Sequence, residues 1–252
     1  MNYEALIFDL DGTAITNGEN VLPTQRVVSA VTLAKKKLKL CAATGRPITN
    51  SKQLLEALGL TDPCIISGGT QIIEPTTGEI LWEVNLETGD AERVLEICRP
   101  YPYELLFKEE LIGEGGLARV RAQPTSPINV MYVMGCTGVD AEKIIDQLDT
   151  IPTITASGVT SWTGPEVVDI HITHRSATKE HAVGKLLEML GVEKALTVGV
   201  GDGNNDIHLF QAVGHRVAMG NATELLKSQA DEVCDTVEND GLAKLIEELL
   251  AS

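Results

Sequence analysis

The sequence predicts an α/β protein, a doubly wound parallel sheet whose chain is interrupted by a separate α+β module. Short, uniformly apolar runs alternate with helical patterns in the first third of the chain, and the same alternation returns in the last third. Such strands, separated by helices, are typical of a parallel sheet that is covered on both faces. Between these two parts, strand-like runs follow one another with glycine and proline turns, which indicates antiparallel pairing.

The first third contains three predicted strands and two predicted helices. A helix over Thr24–Lys37 would bury Val27, Val28 and Val31, because these residues recur at helical spacing. The second helix ends at Gly59, a residue type that favours helix C-termini. The three short apolar strands and the second helix are Ala5–Phe8, Leu38–Ala43, Cys64–Ser67 and Ile48–Leu58.

The last third repeats the strand and helix alternation. Two of its predicted helices end at glycine, one at Gly191 and one at Gly214. The predicted strands are Leu196–Val200, Val217–Met219 and Glu232–Cys234, and the predicted helices are Lys179–Leu190, Asp206–Val213, Thr223–Ser228 and Leu242–Leu250.

The segment 83–173 departs from this alternation. One helix follows Thr88, another covers Ala141–Leu148, and the remaining apolar runs are strand-like. We interpret the segment as an insertion between the two parts of one α/β core. Its predicted strands are Glu104–Lys108, Ala118–Arg121, Asn129–Met134, Ile151–Thr155, Thr160–Trp162 and Val167–Ile172.

The charge balance limits the classes of partner. The chain of 252 residues is long enough for one large domain or two modest ones. It has 20 basic and 36 acidic residues, a formal net charge of −16. Nucleic-acid binding depends on clustered lysine and arginine, so this balance argues against it as the main function. An anionic substrate would need a local cation at its site.

The remaining composition indicates a soluble protein of the cytoplasm. An apolar fraction of 43% is ordinary for a globular protein, and no apolar run is long enough for a membrane span. The N-terminus lacks the features of a signal peptide. Five scattered cysteines, without a CxxC pair or a Cys/His cluster, favour neither a disulfide framework nor a zinc site. We therefore expect a reducing compartment and no membrane partner, while the oligomeric state stays open.

Polar and glycine residues directly follow four of the predicted strands. In open parallel sheets, ligands bind outside the carboxyl ends of the strands, so these residues are candidates for a site. Each stretch alone is also typical of a turn, but turns do not require an acid after two different buried strands. The four stretches are DLDGT (Asp9, Asp11, Gly12, Thr13), ATGR (Thr44, Gly45, Arg46), SGG (Ser67, Gly68, Gly69) and GDGNND (Asp202, Gly203, Asn204, Asn205, Asp206).

Three other ligand motifs do not match these stretches. DLDGT and DGNND resemble part of a calcium loop but lack its acidic spacing and its later glutamate. GVGDGNND does not form GxGxxG at the start of a helix, and GxxxxGK[ST] occurs nowhere in the chain. Calcium-loop, dinucleotide and Walker-type nucleotide binding are therefore disfavoured.

The order of the motifs resembles that of haloacid dehalogenase-like (HAD) phosphohydrolases. DLDGT, TGR, Lys179 at the start of a helix and GDGNND follow one another as in that superfamily. VAMGNATELLKSQAD and ENDGLAKLIEELL resemble the C-terminal signature of its Cof-like subgroup. The resemblance implies a Rossmann-like core of residues 1–82 and 174–252. It also implies an inserted α/β cap domain, residues 83–173, that closes over the site and determines substrate specificity.

The same resemblance implies catalytic roles. Asp9 would be the nucleophile that forms an aspartyl-phosphate, and Asp11 the general acid and base. A neighbouring anion favours the protonated form of a carboxyl group, which suits the second role. Lys179 would neutralise the nucleophile and the phosphoryl group, although Glu180 follows it where the Cof-like subgroup commonly has glycine. Lys185 is the less suited alternative because it does not open the helix.

The resemblance further implies Mg²⁺ as the cofactor. Mg²⁺ prefers carboxylates, phosphate oxygens and waters as ligands, and it would supply the cation that the acidic chain lacks. Its implied ligands are Asp9, the backbone carbonyl of Asp11, and Asp202, with Asp206 completing the metal site by orienting waters or the Asp202 loop. The implied phosphate- or substrate-binding residues, of which Thr44 is also counted as catalytic, are Leu10, Thr44, Gly45, Arg46, Lys179 and Asn205.

The expected function is Mg²⁺-dependent hydrolysis of a small phosphorylated metabolite, a sugar phosphate or a similar phosphomonoester. Two alternatives stay open: a phosphomutase or phosphotransferase on the same scaffold, and a non-catalytic metabolite-binding regulator. In the cap, Arg119 and Arg121 are candidate contacts to an anionic leaving group, and Asp169, His171 and His174 are candidates for a catalytic dyad. A structural or solvated role is the favoured interpretation for all five.

Overall fold

The chain divides into two compact units in the computed structural model. The first unit consists of Met1–Trp82 and Thr178–Ser252, and the second of Glu83–Ala177. The second unit includes the strand that continues to His174. The structure describes residues 3–18, 21–107, 110–112, 128–161, 164 and 166–251.

The helices and strands of the described residues are as follows. The strands are β1 (Ala5–Phe8), β2 (Lys39–Ala42), β3 (Cys64–Ile66), β4 (Gln71–Ile73), β5 (Ile80–Glu83), β6 (Glu104–Phe107), β7 (Glu110–Ile112), β8 (Val130–Thr137), β9 (Ile154–Thr160), β10 (Val167–His174), β11 (Thr197–Gly201), β12 (His215–Ala218) and β13 (Glu232–Val233). The α-helices are α1 (Gln25–Ala34), α2 (Ile48–Leu58), α3 (Thr88–Cys98), α4 (Gly138–Leu148), α5 (Lys179–Leu190), α6 (Ile207–Ala212), α7 (Glu224–Lys227) and α8 (Gly241–Ala251).

The first unit is built on a parallel sheet in the order β13–β12–β11–β1–β2. β3 extends it beside β2 through a parallel bridge between Ala43 and Ile65. Leu6 and Phe8 of the central strand pack into a core with α1 and α8, and Ile7 packs on the opposite side with α5 and α6. Burial on both faces explains why β1 is apolar at every position. The prediction of a doubly wound parallel sheet is confirmed.

The second unit contains an antiparallel sheet in the order β7–β6–β8–β10–β9. Alternate residues of its strands, among them Met131, Val133, Ile170 and Ile172, form a core with the apolar faces of α3 and α4. The α+β character of the inserted segment is thereby confirmed. Trp82, at the end of the first unit's leading segment, packs against the core beside α5.

One pair of predicted strands in the insertion is wrong. The structure has the single strand β9 where the sequence predicts Ile151–Thr155 and Thr160–Trp162. Ser157 and Gly158 have the composition of a turn but lie inside β9 and pair with β10. A Cβ on Gly158 would lie 3.0 Å from Val168 Cγ1, so the glycine allows close approach of the neighbouring side chain.

Three further strands were not predicted. β4 and β5 follow β3 in an antiparallel sheet in the order β3–β4–β5, and the turn between them contains Gly78 at a φ of +79°. β7 pairs with β6. These strands have only three or four residues, too few for a clear period-two pattern. The predicted strand Ala118–Arg121 lies outside the described residues.

The cysteines are unpaired and mostly buried. All five cysteines are free thiols, and four of them are buried (Cys41, Cys64, Cys98 and Cys136). Burial raises the pKa of the Cys64 thiol to about 12, so it behaves as a small apolar side chain. Among the described residues, no helix is long and apolar enough to cross a bilayer.

Candidate active site

The candidate residues of the first unit lie at the carboxyl edge of its parallel sheet. Phe8 of β1 pairs in register with Ala42 of β2 and with Val200 of β11, so the three strands end at nearly the same level. Asp9 directly follows β1, and Asp202 directly follows β11. The topology therefore brings the strand-end loops predicted from sequence to one edge of the sheet.

A buried lysine bridges two carboxylates at this edge. Lys179 Nζ donates hydrogen bonds to Asp9 Oδ1 over 3.0 Å and to Asp206 Oδ1 over 2.6 Å. The side chains of Lys179, Asp9 and Asp206 are 2%, 7% and 0% exposed. Buried ionised groups persist only when they are paired and hydrogen-bonded. With all three groups ionised the cluster carries a net charge of −1, which attracts a further cation.

Burial and pairing act in opposite directions on these groups. Burial raises the pKa of Asp9 to about 7, against the attraction of Lys179. Burial alone would lower the pKa of Lys179, but Asp206 and Asp9 outweigh it and the pKa is raised. Lys179 is therefore a fixed cation near neutral pH, and Asp9 depends on its cationic neighbours to stay ionised.

Lys179 is placed by the start of α5. Thr178 precedes the helix, and its Oγ1 accepts a hydrogen bond from the backbone N–H of His181, which caps the first turn. Gly69, in the loop after β3, has a φ of +108°, and a Cβ there would lie 2.6 Å from the backbone nitrogen of Lys179. The glycine of SGG thus allows this loop to pack against the helix start that carries the lysine.

Asp206 connects the lysine to the loop after β11. Its Oδ2 accepts hydrogen bonds from the backbone N–H groups of Asp202 and Gly203, each over 3.0 Å. A Cβ on Gly201 would lie 2.5 Å from Asp206 Cγ, so the carboxyl group packs directly on the end of the strand. Both carboxylate oxygens of Asp206 are therefore used to fix this loop and Lys179.

Asp202 faces the turn that follows β1. Gly12 has a φ of +69°, and a Cβ there would lie 2.1 Å from Asp202 Oδ2. Thr13 Oγ1 donates a long hydrogen bond, of 3.5 Å, to Asp202 Oδ1. Burial raises the pKa of Asp202 to about 6. The glycine of DLDGT is required both by the left-handed backbone and by the space that the Asp202 carboxylate occupies.

Asp11 pairs with an arginine and not with the other carboxylates. Arg46 Nε donates to Asp11 Oδ2 over 2.8 Å, and Nη2 donates to Asp11 Oδ1 over 2.6 Å. This bidentate bond raises the pKa of Arg46, and it occupies both side-chain oxygens of Asp11. The sequence alone does not show that this cation, which comes from a different strand end, reaches Asp11.

The remaining predicted phosphate-binding groups lie around the same edge. Thr44 is buried, and its Oγ1 accepts a bond from the backbone N–H of Arg46 over 3.1 Å. The side chain of Leu10 is buried, so only its backbone can face a ligand. The backbone N–H groups of Leu10 and Gly45 donate to no other described residue. Asn205 is exposed on the loop after Asp202. The edge therefore offers several donors for an anion.

Three carboxylates at this edge could hold a divalent metal. One oxygen from each of Asp9, Asp202 and Asp206 lies within 4.8 Å of the other two. Carboxylate oxygens are hard ligands, and three of them close together suit Mg²⁺. Asp9 and Asp202 are the better direct ligands, since Asp206 already uses both oxygens. Both side-chain oxygens of Asp11 are bound to Arg46, so a contribution from Asp11 would come from its backbone carbonyl, as the resemblance implies.

The candidates in the second unit have local structural partners. Asp169 Oδ1 accepts a bond from the backbone N–H of Gly135 over 2.8 Å, beside an irregularity in the pairing of β10 with β8. His171 packs edge-on against Tyr132 with ring centroids 4.5 Å apart, and burial lowers its pKa to about 4. His174 Nδ1 lies 2.7 Å from Ser176 Oγ within a turn. The favoured structural interpretation therefore agrees with their contacts, while Arg119 and Arg121 lie outside the described residues.

Asn221 makes a contact at this site that was not predicted from the sequence. Asn221 donates from its side-chain Nδ2 to the backbone carbonyl of Gly12 over 2.8 Å. It lies in VAMGNATELLKSQAD, where an asparagine two residues before a capping threonine has the appearance of an ordinary helix-entry turn. The signal available was only the family signature itself, which does not say what each of its residues contacts.

Comparisons with known proteins identify the family of this chain. The family model of haloacid dehalogenase-like hydrolases matches residues 6–112 and 123–246. A phosphoglycolate phosphatase of Methanopyrus kandleri is 27% identical over 249 residues, which cover 97% of this chain and 96% of the relative. Phosphoglycolate phosphatase 1 of Saccharolobus solfataricus is 40% identical over 81 residues, 32% of this chain and 36% of the relative.

The fold is also shared with solved structures. The sugar phosphatase BT4131, of HAD subclass IIB, superposes with a TM-score of 0.76 at 23% identity, covering 97% of this chain and 98% of that chain. The family model spans the strand-end motifs on both sides of the insertion as well as most of the insertion. The motif order, the fold and this match agree, and the chain belongs to the haloacid dehalogenase-like hydrolase family.

Proposed function

We propose that this protein is a Mg²⁺-dependent phosphatase that hydrolyses a small phosphorylated metabolite through an aspartyl-phosphate on Asp9. The observation that carries the proposal is the buried Lys179, which bridges Asp9 and Asp206 beside the carboxylate of Asp202. A nucleophilic carboxylate needs a fixed cation and further positive charge before a phosphate dianion can approach it. The named relatives, two phosphoglycolate phosphatases and a sugar phosphatase, support the same reaction class.

In the first step, a carboxylate oxygen of Asp9 attacks phosphorus. A bond forms between this oxygen and phosphorus, and the bond between phosphorus and the leaving alcohol oxygen breaks. Asp9 binds Lys179 through Oδ1, so Oδ2 is the oxygen left for the attack. Lys179 offsets the charge of the attacking group, and the backbone N–H groups of Leu10 and Gly45 can donate to the phosphoryl oxygens. The hydroxyl of Thr44 can do the same.

Asp11 handles the proton in both steps. In the first step the leaving oxygen takes a proton from Asp11 as it departs, and in the second step Asp11 takes a proton from the water that attacks phosphorus. That attack breaks the bond to Asp9 and releases phosphate. The Arg46 pair occupies both side-chain oxygens of Asp11. In the first step Asp11 must carry the proton, so we infer that the hydrogen bonds between Arg46 and Asp11 loosen when substrate binds.

The donor set fits Mg²⁺ at the same edge. Asp9 and Asp202 would hold the ion, with the backbone carbonyl of Asp11, while Asp206 fixes the loop that carries Asp202. When bound, Mg²⁺ supplies positive charge beside the transferring phosphoryl group. Asp9 and Asp202 have pKa values raised to about 7 and about 6 by burial, so a cation beside them also keeps both carboxylates ionised.

Selection among substrates concerns the leaving group. We assign substrate selection to the second unit, the cap of our proposal, because the core loops at the strand ends contain the groups that bind phosphate. The relatives carry names for different phosphorylated metabolites, and the substrate class is accordingly small phosphomonoesters. Free thiols at all five cysteines suit a reducing cytoplasm as the place of action.

The test is phosphate release from a panel of phosphorylated metabolites and p-nitrophenyl phosphate. We expect release with Mg²⁺ and a fall to the no-enzyme rate in EDTA, which returns when Mg²⁺ is added in excess. The preferred metabolite would be the one with the highest kcat/KM. A rearranged sugar phosphate without free phosphate would instead indicate a mutase. No turnover of any compound by folded, Mg²⁺-loaded protein would contradict the proposal and favour a metabolite-binding regulator.

Asp11→Asn is expected to separate the two steps. p-Nitrophenolate leaves without a proton, so Asp9 should still capture the phosphoryl group, while the water of the second step lacks its base. We expect a burst of about one p-nitrophenolate per site, followed by turnover reduced by about 10²- to 10⁴-fold. Rapid-quench measurement of the burst checks this. Steady-state turnover equal to that of the wild type would remove Asp11 from the mechanism.

A further inference from the structure

The segment that follows β12 is bonded to the loop that carries Asp202. The backbone N–H of Met219 donates to the carbonyl of Gly201 over 2.9 Å, and that of Thr223 donates to the carbonyl of Asp202 over 3.0 Å. Thr223 Oγ1 also donates to Asn204 Oδ1 over 2.7 Å. This short segment therefore bonds the loop after β11, in addition to Asp206, which bonds the same loop through its carboxylate.

Asn221 extends this connection to the turn after β1. Its Nδ2 donates to the carbonyl of Gly12 over 2.8 Å, and its Oδ1 accepts from the backbone N–H of Val237 over 2.9 Å. Both ends of the amide are used, so the side chain has one orientation. Asn221 is itself exposed, and both of its side-chain bonds go to backbone groups of other segments.

Two hydrogen bonds define the backbone of Gly12. The N–H of Gly12 donates to the carbonyl of Ile15 over 2.8 Å, which sets the plane of the peptide between Asp11 and Gly12. A trans peptide is planar, so the same bond directs the Asp11 carbonyl away from Ile15. Asn221 sets the plane of the next peptide, which begins at the Gly12 carbonyl.

The Gly12 backbone packs tightly against the Asp202 side chain. The Gly12 Cα lies so close to Asp202 that a Cβ would meet its Oδ2 at 2.1 Å. A rotation of the Gly12 backbone would change the distance between the Asp11 carbonyl and the Asp202 carboxylate. Mg²⁺ demands nearly ideal octahedral geometry at short ligand distances, so small changes in this spacing weaken its binding.

We infer that Asn221 is a positioning residue that holds the Asp11–Gly12 turn against Asp202 and so keeps the two strand-end loops at the spacing a divalent cation requires. The inference rests on the metal site of the proposed function. It assigns to Asn221 no contact with metal or substrate. Partners that orient metal ligands from behind typically change metal affinity by 10- to 100-fold when they are removed.

Direct binding of Mn²⁺ to the metal-free protein tests the inference without any assay of turnover. Electron paramagnetic resonance of free Mn²⁺ gives the Kd for the wild type and for Asn221→Ala. We expect the Kd to rise about 10-fold or more in the variant. Asn239→Ala is the matched control, since Asn239 is exposed and, among the described residues, its side-chain amide bonds only to Asp235 Oδ1. Its Kd should equal that of the wild type.

Thermal unfolding separates positioning from general support. A merely structural role would lower the Tm of Asn221→Ala and leave the Mn²⁺ Kd unchanged, and that result overturns the inference. If the alanine variant does not fold, Asn221→Ser replaces it, because serine suits turns but is too short to bond both partners. Failure of the proposed function gives other results. Wild-type protein that binds no Mn²⁺ would overturn both the proposed function and the inference. Wild-type protein that binds Mn²⁺ and releases no phosphate would overturn the proposed function alone.

Discussion

Asp9→Asn is expected to reduce phosphate release by about 10⁴-fold or more at saturating Mg²⁺ and substrate. The amide is close to the carboxylate in shape but is not a nucleophile, so the aspartyl-phosphate cannot form. The side-chain carbonyl can still accept the hydrogen bond that Lys179 now gives to Asp9 Oδ1. The site therefore loses its reacting atom and keeps its shape. Phosphate release from the preferred metabolite measures the effect.

The same variant has an expected effect on stability, with a sign that follows from burial. The folded-state pKa of Asp9 is raised to about 7 by burial, above the value of about 3.9 in an unfolded chain. A raised carboxyl pKa costs stability as pH rises from the unfolded value through about 7. Asparagine carries no charge, and Lys179 and Asp206 then sum to zero. Without metal at pH 8, the variant should unfold at a Tm equal to or above that of the wild type.

A surface acid gives the control for this experiment. Asp231 pairs with Arg216 on the amino side of β13, at the opposite end of the parallel strands. Asp231→Asn removes a carboxylate of the same size and should leave phosphate release unchanged. If Asp9→Asn were to retain activity within 10-fold of the wild type at matched protein purity, Asp9 would not be the nucleophile.

The architecture could be predicted from the sequence because β1, β2 and β11, in the middle of the core sheet, are buried at nearly every position. β1 is buried on both faces, and only a central strand of a covered sheet has that pattern. The carboxylates that follow β1 and β11 then had to meet, since parallel strands end at one edge. Gly158 shows the limit of such reasoning. It has the local signature of a turn, but the close approach of Val168 that requires the glycine comes from another strand.

The pairing of the site's charges could not be read from the chain alone. The sequence places Asp9 and Asp11 one residue apart, yet they have different cations. Asp9 binds Lys179, which is 170 residues away, and Asp11 binds Arg46, which is 35 residues away. Which cation contacts which carboxylate depends on how the loops after β1 and β2 pack against the start of α5. The spacing of these residues in the sequence does not predict it.

Lys179→Met is expected to lower kcat for phosphate release by about 10²- to 10³-fold, the loss found when one electrostatic donor is removed from a preorganised site. It should also destabilise the metal-free protein. Asp9 and Asp206 would stay buried, at 7% and 0% side-chain exposure, without the cation they share. Removing one partner of a buried ion pair costs about 3–5 kcal/mol of unfolding free energy.

The pH dependence of that destabilisation identifies its origin. Burial already raises the pKa of Asp9 to about 7, and loss of Lys179 raises it further, so the carboxyl group takes up a proton more readily. The loss of stability should therefore be largest near pH 8 and smaller near pH 5. Urea unfolding of wild type and variant at both pH values measures it. A loss that is equal at the two pH values would mean that packing of the lysine stem, and not its charge, stabilises the fold.

Lys185→Met is the matched control because it changes the same residue type in the same helix. The Lys185 side chain is 40% exposed and pairs with Glu188 over 3.0 Å at the surface. Exposed pairs contribute about 0–1 kcal/mol, so stability and turnover should stay close to those of the wild type. Equal losses of turnover in the two variants would show a general effect of α5 on the fold. A loss confined to Lys179→Met would instead assign the neutralising charge to the lysine that opens the helix, and explain why an acidic chain can accept a phosphate dianion at this edge.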